Sequence, residues 1–401
     1  MRNIRFRVGL ITGGWLVAAA AWVLWRPGPT NYAERCRNAT VHGRWLELAS
    51  QSKAWSEAKP QEAQAWLYRA QAAEQQQDFA AANMYLSNVP PDSQFGIRAL
   101  EARIELQFGP LNQPLGAVES CQALLHSDPN SKLAHQRLIF FFAFTLQRQK
   151  LISQIRDAIA RRCEPREAYT YLFLADSLLL SNAGSQNARW LQSDPASELF
   201  SVAQAVQIAE TLQGQIPRDD PDIFAKVKES IERRDRTLEE LLMRYPNNLE
   251  LLAYFLRQAV ERGDVNRVTD LLASAPHSAE FDHRFWRYRG WLMQSHEDLA
   301  EAKAAYQQAL KQHPMDSGTR HLLAGLVRRQ GDLVEAGRLE QLVVRANHLR
   351  RLLQQEDTVR SVSPQTLKDL AGYAADCGDR LVADSLHAQL QRFDRTKGPM
   401  R

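Results

Sequence analysis

A chain of 401 residues, 44% hydrophobic and 24% charged, is long enough to bury a large core and too apolar to stay unfolded. There are 50 Lys and Arg against 46 Asp and Glu, and Arg2, Arg5 and Arg7 supply three of the basic residues before any acid appears. The remaining 47 against 46 argue against a nucleic-acid protein, whose affinity needs a net basic surface.

The first element is Val8–Trp25, "VGLITGGWLVAAAAWVLW", an uncharged run of 18 residues. As a helix at ~1.5 Å per residue it covers about 27 Å, enough for a bilayer core of ~30 Å. The basic flank before it and Trp22 and Trp25 at its far end predict a single-pass signal anchor over 1–25, N-terminus cytoplasmic and the rest on the periplasmic side. Ala18–Ala21 also offers a signal-peptide cleavage site, which would leave a secreted or periplasmic chain, and the early arginines fit an organellar transit peptide. The run "WVLW" past the cleavage site favours the anchor. Residues 26–59 read as a partly helical linker or stalk, and Pro60 opens the folded part.

No sustained period-two alternation occurs, and Ala, Leu, Gln, Glu and Arg dominate, so the fold class is all-α. Over 60–163, "AWLYRAQAAEQQQDFAAANMYLSNV" (Ala65–Val89) reads as a helical hairpin. A helix over Leu115–Ser127 follows, ended by Asp128-Pro129, with its partner helix in Gln94–Phe108. Arg137–Leu146, "RLIFFFAFTL", is too short to span a membrane and reads as a buried helix. Over 164–248 the pattern becomes irregular: helices are expected at Tyr169–Leu180, Ala196–Leu212 and Pro221–Arg244, as degenerate pairs or a bend.

From Leu249 to Arg350 a period of 34 takes over. Gly290 aligns with Leu256 and Ala324, Asp298 with Asp264 and Asp332, Ala302 with Val268 and Ala336, Ala309 with Ala275 and Val343. Small residues at such positions let helices approach, large ones such as Trp286 and Tyr306 fill the spaces between, and Gly263-Asp264 and Gly331-Asp332 break the chain within each pair. Residues 351–401 hold an insert, Arg351–Ser363, then one more pair carrying Ala371, Gly378-Asp379, Ala383 and Leu390, then a tail. The last helix, about Arg380–Phe393, has a polar face that can end the stack in water.

This pattern resembles the tetratricopeptide repeat (TPR) family, whose period is 34. His283–Asp316 carries Trp286, Gly290, Leu299, Ala302, Tyr306, Ala309 and Pro314 at the family's positions, flanked by units at Leu249–Asp282 and Ser317–Arg350. The resemblance implies a right-handed superhelical solenoid of helix–turn–helix repeats, with the first helix of each unit on the concave face. It turns Arg284, Arg287, Tyr288 and Trp291 toward a groove, with Tyr254 and Arg257 on one side and His321, Arg328 and Arg329 on the other. Such a surface suits a protein or peptide partner with acidic or aromatic side chains. Arg69 and Arg289 should lay their stems on the core with their guanidiniums outside. The carboxylate clamp of co-chaperone TPR domains is not matched by Ala253, Arg257, Tyr288, Gly318 and Leu322.

The four cysteines, Cys36, Cys121, Cys163 and Cys377, form no CxxC pair, and neither a phosphate-cradling glycine loop nor a GxSxG elbow occurs. "HEDLA" at His296–Ala300 lacks the second histidine of a zinc helix. The expectation is a membrane-anchored scaffold without cofactor, metal or covalent chemistry. The alternative is an enzyme or enzyme-linked regulator with its site in the irregular middle.

Overall fold

The computed structural model describes residues 31–212, 221–355 and 362–396, and divides into two compact units, 1–99 and 100–401. Among the described residues there are twenty α-helices, one 3-10 helix and no strand. None of these helices is long and apolar enough to cross a membrane, and the anchor expected at 8–25 lies outside the described residues.

In the first unit the stalk expected over 26–59 is, from Tyr32 on, a packed hairpin of α1 (Tyr32–Val41) and α2 (Trp45–Ala58). Asn31 caps α1 by accepting from the Glu34 N–H at 3.1 Å. Cys36, Ala39, Leu48 and Trp55 pack with Ala65 and Ala72 of α3 (Ala63–Gln75), and Trp55 stacks on Tyr32 at 6.4 Å. These buried positions are few and widely spaced, which is why the segment reads as polar in sequence. α4 (Phe79–Leu86) completes the second hairpin, capped by Asp78.

The second unit continues from α5 (Gly96–Phe108) through α6 (Pro114–Ser127), α7 (Lys132–Phe144) and α8 (Arg148–Ala160). The phenylalanine-rich stretch lies in α7, and Phe141, Phe142 and Phe144 are buried against Trp190 and Phe200 as expected for a core helix. The helix expected over Tyr169–Leu180 is instead the short α9 (Ala168–Phe173) followed by turns. All six residues of α9 are buried, and the chain leaves the helix where Asp176 is drawn to His283 and Arg287. α10 (Ala183–Ser193), α11 (Glu198–Leu212) and α12 (Pro221–Arg244) follow.

The 34-residue spacing then appears directly as structure. α13 (Leu249–Arg262), α15 (His283–Ser295) and α17 (Ser317–Arg329) start 34 residues apart, each preceded by an N-cap, Asn248, Asp282 or Asp316. Each cap accepts from a first-turn N–H at 3.0 Å, a contact whose loss costs about 1 kcal/mol. Their partners are α14 (Val265–Ala273), α16 (Leu299–Gln312) and α18 (Leu333–Gln355). α14 is short, and a 3-10 turn at His277–Phe281 fills the rest of its repeat. Gly263 and Gly331 end their first helices at φ +71° and +86°, a conformation that a Cβ disfavours; Glu297 adopts it at φ +64° in the intervening repeat. A final pair, α19 (Pro364–Asp376) and α20 (Arg380–Thr396), closes the array.

Inside the His283–Asp316 pair the small–large logic holds. A Cβ on Gly290 would stand 2.6 Å from the Tyr306 ring, and Tyr306 is fully buried with its hydroxyl donating to Gln294 Oε1 at 3.0 Å. Trp286 donates from Nε1 to the Glu280 carbonyl at 2.8 Å, and Arg289 lies 4.6 Å over its ring. Trp66 repeats this arrangement in the first unit, donating to the Pro60 carbonyl with Arg69 over its ring at 5.5 Å. Trp66–Ala70 ("WLYRA") and Trp286–Gly290 ("WRYRG") thus share one packing device.

The irregular middle both extends the stack and covers it: α10, α11 and α12 pack in sequence order up to α13, while the segment around α9 turns back onto the later repeats. α8 and the segment around α9 lie against both helices of the last pair, α19 and α20, and against the first helix α15. Arg156 pairs with Asp379 at 2.6 Å, and Tyr169 donates to Glu164, which also accepts from Gln389 of α20. Phe173 meets Tyr373 edge-on at 5.6 Å. One continuous core thus joins residues from Leu100–Phe200 with residues from Leu342–Leu386.

Candidate partner-binding cleft and its buried charge network

Five carboxylates and five cationic side chains meet where the first helices face the middle segment. Arg284 forks onto Glu250 (2.8 Å twice) and onto Asp282 (3.0 and 2.6 Å). Glu250 also accepts from Arg148 at 2.7 Å, Arg148 reaches Glu210 at 2.9 Å, and Glu210 holds Arg257 at 3.1 Å. Beside this chain, Arg287 sits between Asp176 (2.8 Å) and Asp316 (3.1 Å), and His283 Nε2 lies 2.9 Å from Asp176.

Burial alone would raise Asp176, but His283 and Arg287 outweigh it and hold its carboxyl well below the usual range. Burial is likewise overcome at Asp282 by Arg284 and at Asp316 by Arg287, and both stay low. His283 is raised because Asp176, then Asp316 and Asp282, outweigh the cost of burying its charge. With His283 protonated, four guanidiniums and one imidazolium face five carboxylates, and the network is neutral. Asp176, His283 and Asp316 bring possible ligand atoms within 4.8 Å of one another. Arg287 already lies between the two carboxylates, so no net negative charge is left to attract a divalent cation. His313, edge-on to His283 at 4.8 Å between ring centres, is pushed down to about 3 by burial and then by His283.

This network changes the groove expected from sequence. Arg284, Tyr288 and Tyr254 are buried, 4%, 5% and 3% exposed, and face the chain's own middle segment instead of open solvent. Tyr254 and Arg284 border a small recess of about 40 Å³. Trp291 is half-buried against the core, and Arg328 and Arg329 are exposed and pair with Glu340 and Glu297. Arg257, Arg287, Tyr288 and His321 remain together, on a cleft of about 590 Å³ whose other wall carries Phe173 and Asp176. Asp176 is 29% exposed there.

Sequence reasoning missed Glu250, Asp282 and Asp316, yet a signal existed. Glu250 and Arg284 occupy the same place in adjacent units, as do Asn248, Asp282 and Asp316, and as do Tyr254 and Tyr288. Asp176, Arg148 and Glu210 carry no such register and reach the site only through the fold.

Residues 289–347 match the tetratricopeptide repeat family. Among curated proteins none matches the sequence. Of solved structures, a tetratricopeptide repeat protein from Parabacteroides merdae is 12% identical, over 74% of this chain and 97% of its own, with a TM-score of 0.26. Yeast Tom70 is 14% identical over 95% of this chain and 98% of its own, TM-score 0.27. The human IFIT1 dimer with m7Gppp-AAAA is 11% identical over 90% and 88%, TM-score 0.31.

Proposed function

We propose that this chain is a protein–protein interaction scaffold that receives an extended segment of a protein partner in the cleft beside α15 and α17. The observation that carries this reading is the cleft itself. Its volume of about 590 Å³ falls in the range of ligand sites, and its charged walls are fixed in place by the buried ion pairs beneath them. Side chains already ordered lose little freedom when a partner arrives. Repeat arrays present such surfaces as a consequence of stacking. On this reading the chain works by binding and not by covalent chemistry. The apolar run at 8–25 tethers the scaffold to a membrane, with Arg2, Arg5 and Arg7 cytoplasmic and the cleft on the periplasmic side.

A photo-crosslinking residue placed at His321, which borders the cleft and is exposed, is expected to yield a discrete adduct with a protein partner in intact cells. The same residue at Gln307, exposed on α16, is the control. Equal labelling from both positions, or none from His321, would remove the cleft from the reading. Washing the same membranes with alkaline carbonate should leave the chain in the pellet, and its release would remove the tether.

A further inference from the structure

We infer that the cleft seats a carboxylate of an acidic peptide segment on Arg350 and the first turn of α17, an inference that rests on the scaffold reading and names the partner's chemistry. Three arginines border the cleft. Arg257 is held by Glu210, and Arg287 by Asp176 and Asp316. Arg350 has no carboxylate partner among the described residues. Its Nη2 donates to Ser317 Oγ at 3.1 Å and its Nη1 to Asn347 Oδ1 at 2.9 Å, while its Nε is buried with no acceptor. A buried guanidinium N–H left without an acceptor is costly, and a carboxylate is its natural complement.

The surroundings add donors. α17 begins at Ser317 and runs for thirteen residues. Asp316 takes the N–H of Thr319 through its side chain and that of Arg320 through its carbonyl. The N–H groups of Ser317 and Gly318 have no acceptor among the described residues, so the positive end of the helix stays partly uncovered. Gly318 keeps this turn bare: a Cβ there would stand 3.2 Å from Arg287 Nη1 and 3.3 Å from Asp316 Oδ1. His313 supplies an independent sign. It is 2% exposed, borders the same cleft, and its Nδ1 is buried without a partner. Arg350 Nε and His313 Nδ1 are thus left unmatched beside a helix start in a cleft whose other two arginines are already paired, while Glu261 lines the same cleft with no ion-pair partner among the described residues.

A free phosphate or carboxylate ion would satisfy the same donors. The peptide is favoured because Phe173, Val260, Leu322 and Val343 also line the cleft, and a small ion would leave this apolar wall unfilled.

The probes are an octapeptide alternating glutamate and leucine, its counterpart with glutamine for glutamate, and inorganic phosphate. Each is titrated by fluorescence anisotropy against the full chain in detergent, phosphate as a competitor. The acidic peptide should bind at least about tenfold more tightly than the glutamine peptide, the size of one charge-assisted bond. Arg350→Gln should abolish that preference with an unchanged melting temperature, Arg350→Lys should keep part of it, and millimolar phosphate should not displace the peptide. Undiminished preference in Arg350→Gln overturns the seat, as does failure of the acidic peptide to bind the wild type. Phosphate binding that depends on Arg350 and matches the peptide overturns the peptide assignment. None of these outcomes touches the scaffold reading, which stands or falls on the His321 crosslink and requires no anion.

Discussion

Arg284 shows how much can rest on one side chain. It is 4% exposed and satisfies two buried carboxylates, Glu250 and Asp282, through four short contacts. Removing it strands charge in the interior, where a broken buried pair costs about 3–5 kcal/mol. Arg284→Ala is therefore expected to lower unfolding stability by that amount in urea titration. Arg329→Ala is expected to cost under about 1 kcal/mol, because its pair with Glu297 is exposed on both sides. Similar losses from the two would mean that the Arg284 pairs are as well solvated as the surface one. The charge pairing was half legible in the sequence: Glu250 and Arg284 lie one 34-residue period apart, and first helices in adjacent repeats are neighbours. Asp176 was not legible, since it sits in a turn between elements with no period to place it.

At the scale of the helix, spacing and residue size specify the pairs. Gly290 and Tyr306 fit only together, while Gly325, in the exposed face of α17, has nothing within 4 Å of where a Cβ would stand. Alanine is favoured over glycine in a helix by about 1 kcal/mol, so Gly325→Ala should stabilise by up to that much. Gly290→Ala meets the same preference, but the ring of Tyr306 is fixed by full burial and cannot yield. Overpacking of this kind costs about 1–3 kcal/mol, so a net loss is expected. Thermal melts of the two variants check the pair of signs, and a stabilised Gly290→Ala would show that Tyr306 can move. At this scale the sequence reading succeeded for α15–α18, where caps, breakers and apolar positions agree. It failed at α9, where burial on all sides erases any amphipathic period and an ion pair decides where the helix stops.

For the second unit as a whole, the middle segment closes over the first helices and buries two histidines of opposite habit. His283 is raised above its ordinary value near 6.5, so its contribution is full below that pH and is lost as pH rises through its folded value. His313 is lowered to about 3 by burial and then His283, so its contribution is full above 6.5 and declines as pH falls toward 3. The carboxylates facing them are Asp176, Asp282 and Asp316, whose lowered values make them stabilising above the ordinary carboxylate range and lost in acid; the cations Arg156 and Arg287 stand beside the same cluster. Melting temperature should therefore peak near neutrality. His283→Gln should flatten the decline on the alkaline side, and His313→Asn the decline between pH 6.5 and 3. Unchanged pH profiles in both variants would show that neither histidine titrates with folding.

By itself the sequence determined the helical class, the 34-residue pairing of α13 to α18 and the Gly-Asp breaks within it. These follow from contacts between neighbours in the chain or one period apart, which local composition records. Only the tertiary structure decided that the first helices face the chain's own middle instead of solvent, and that Arg257, Arg287, Tyr288 and His321 share a cleft from which Arg328 and Arg329 are absent. The physical reason is that the covering segment bonds across separations of 107 to 225 residues, through single charges and hydroxyls such as Asp176, Arg156 and Tyr169. Such contacts leave no period behind, because each is made once.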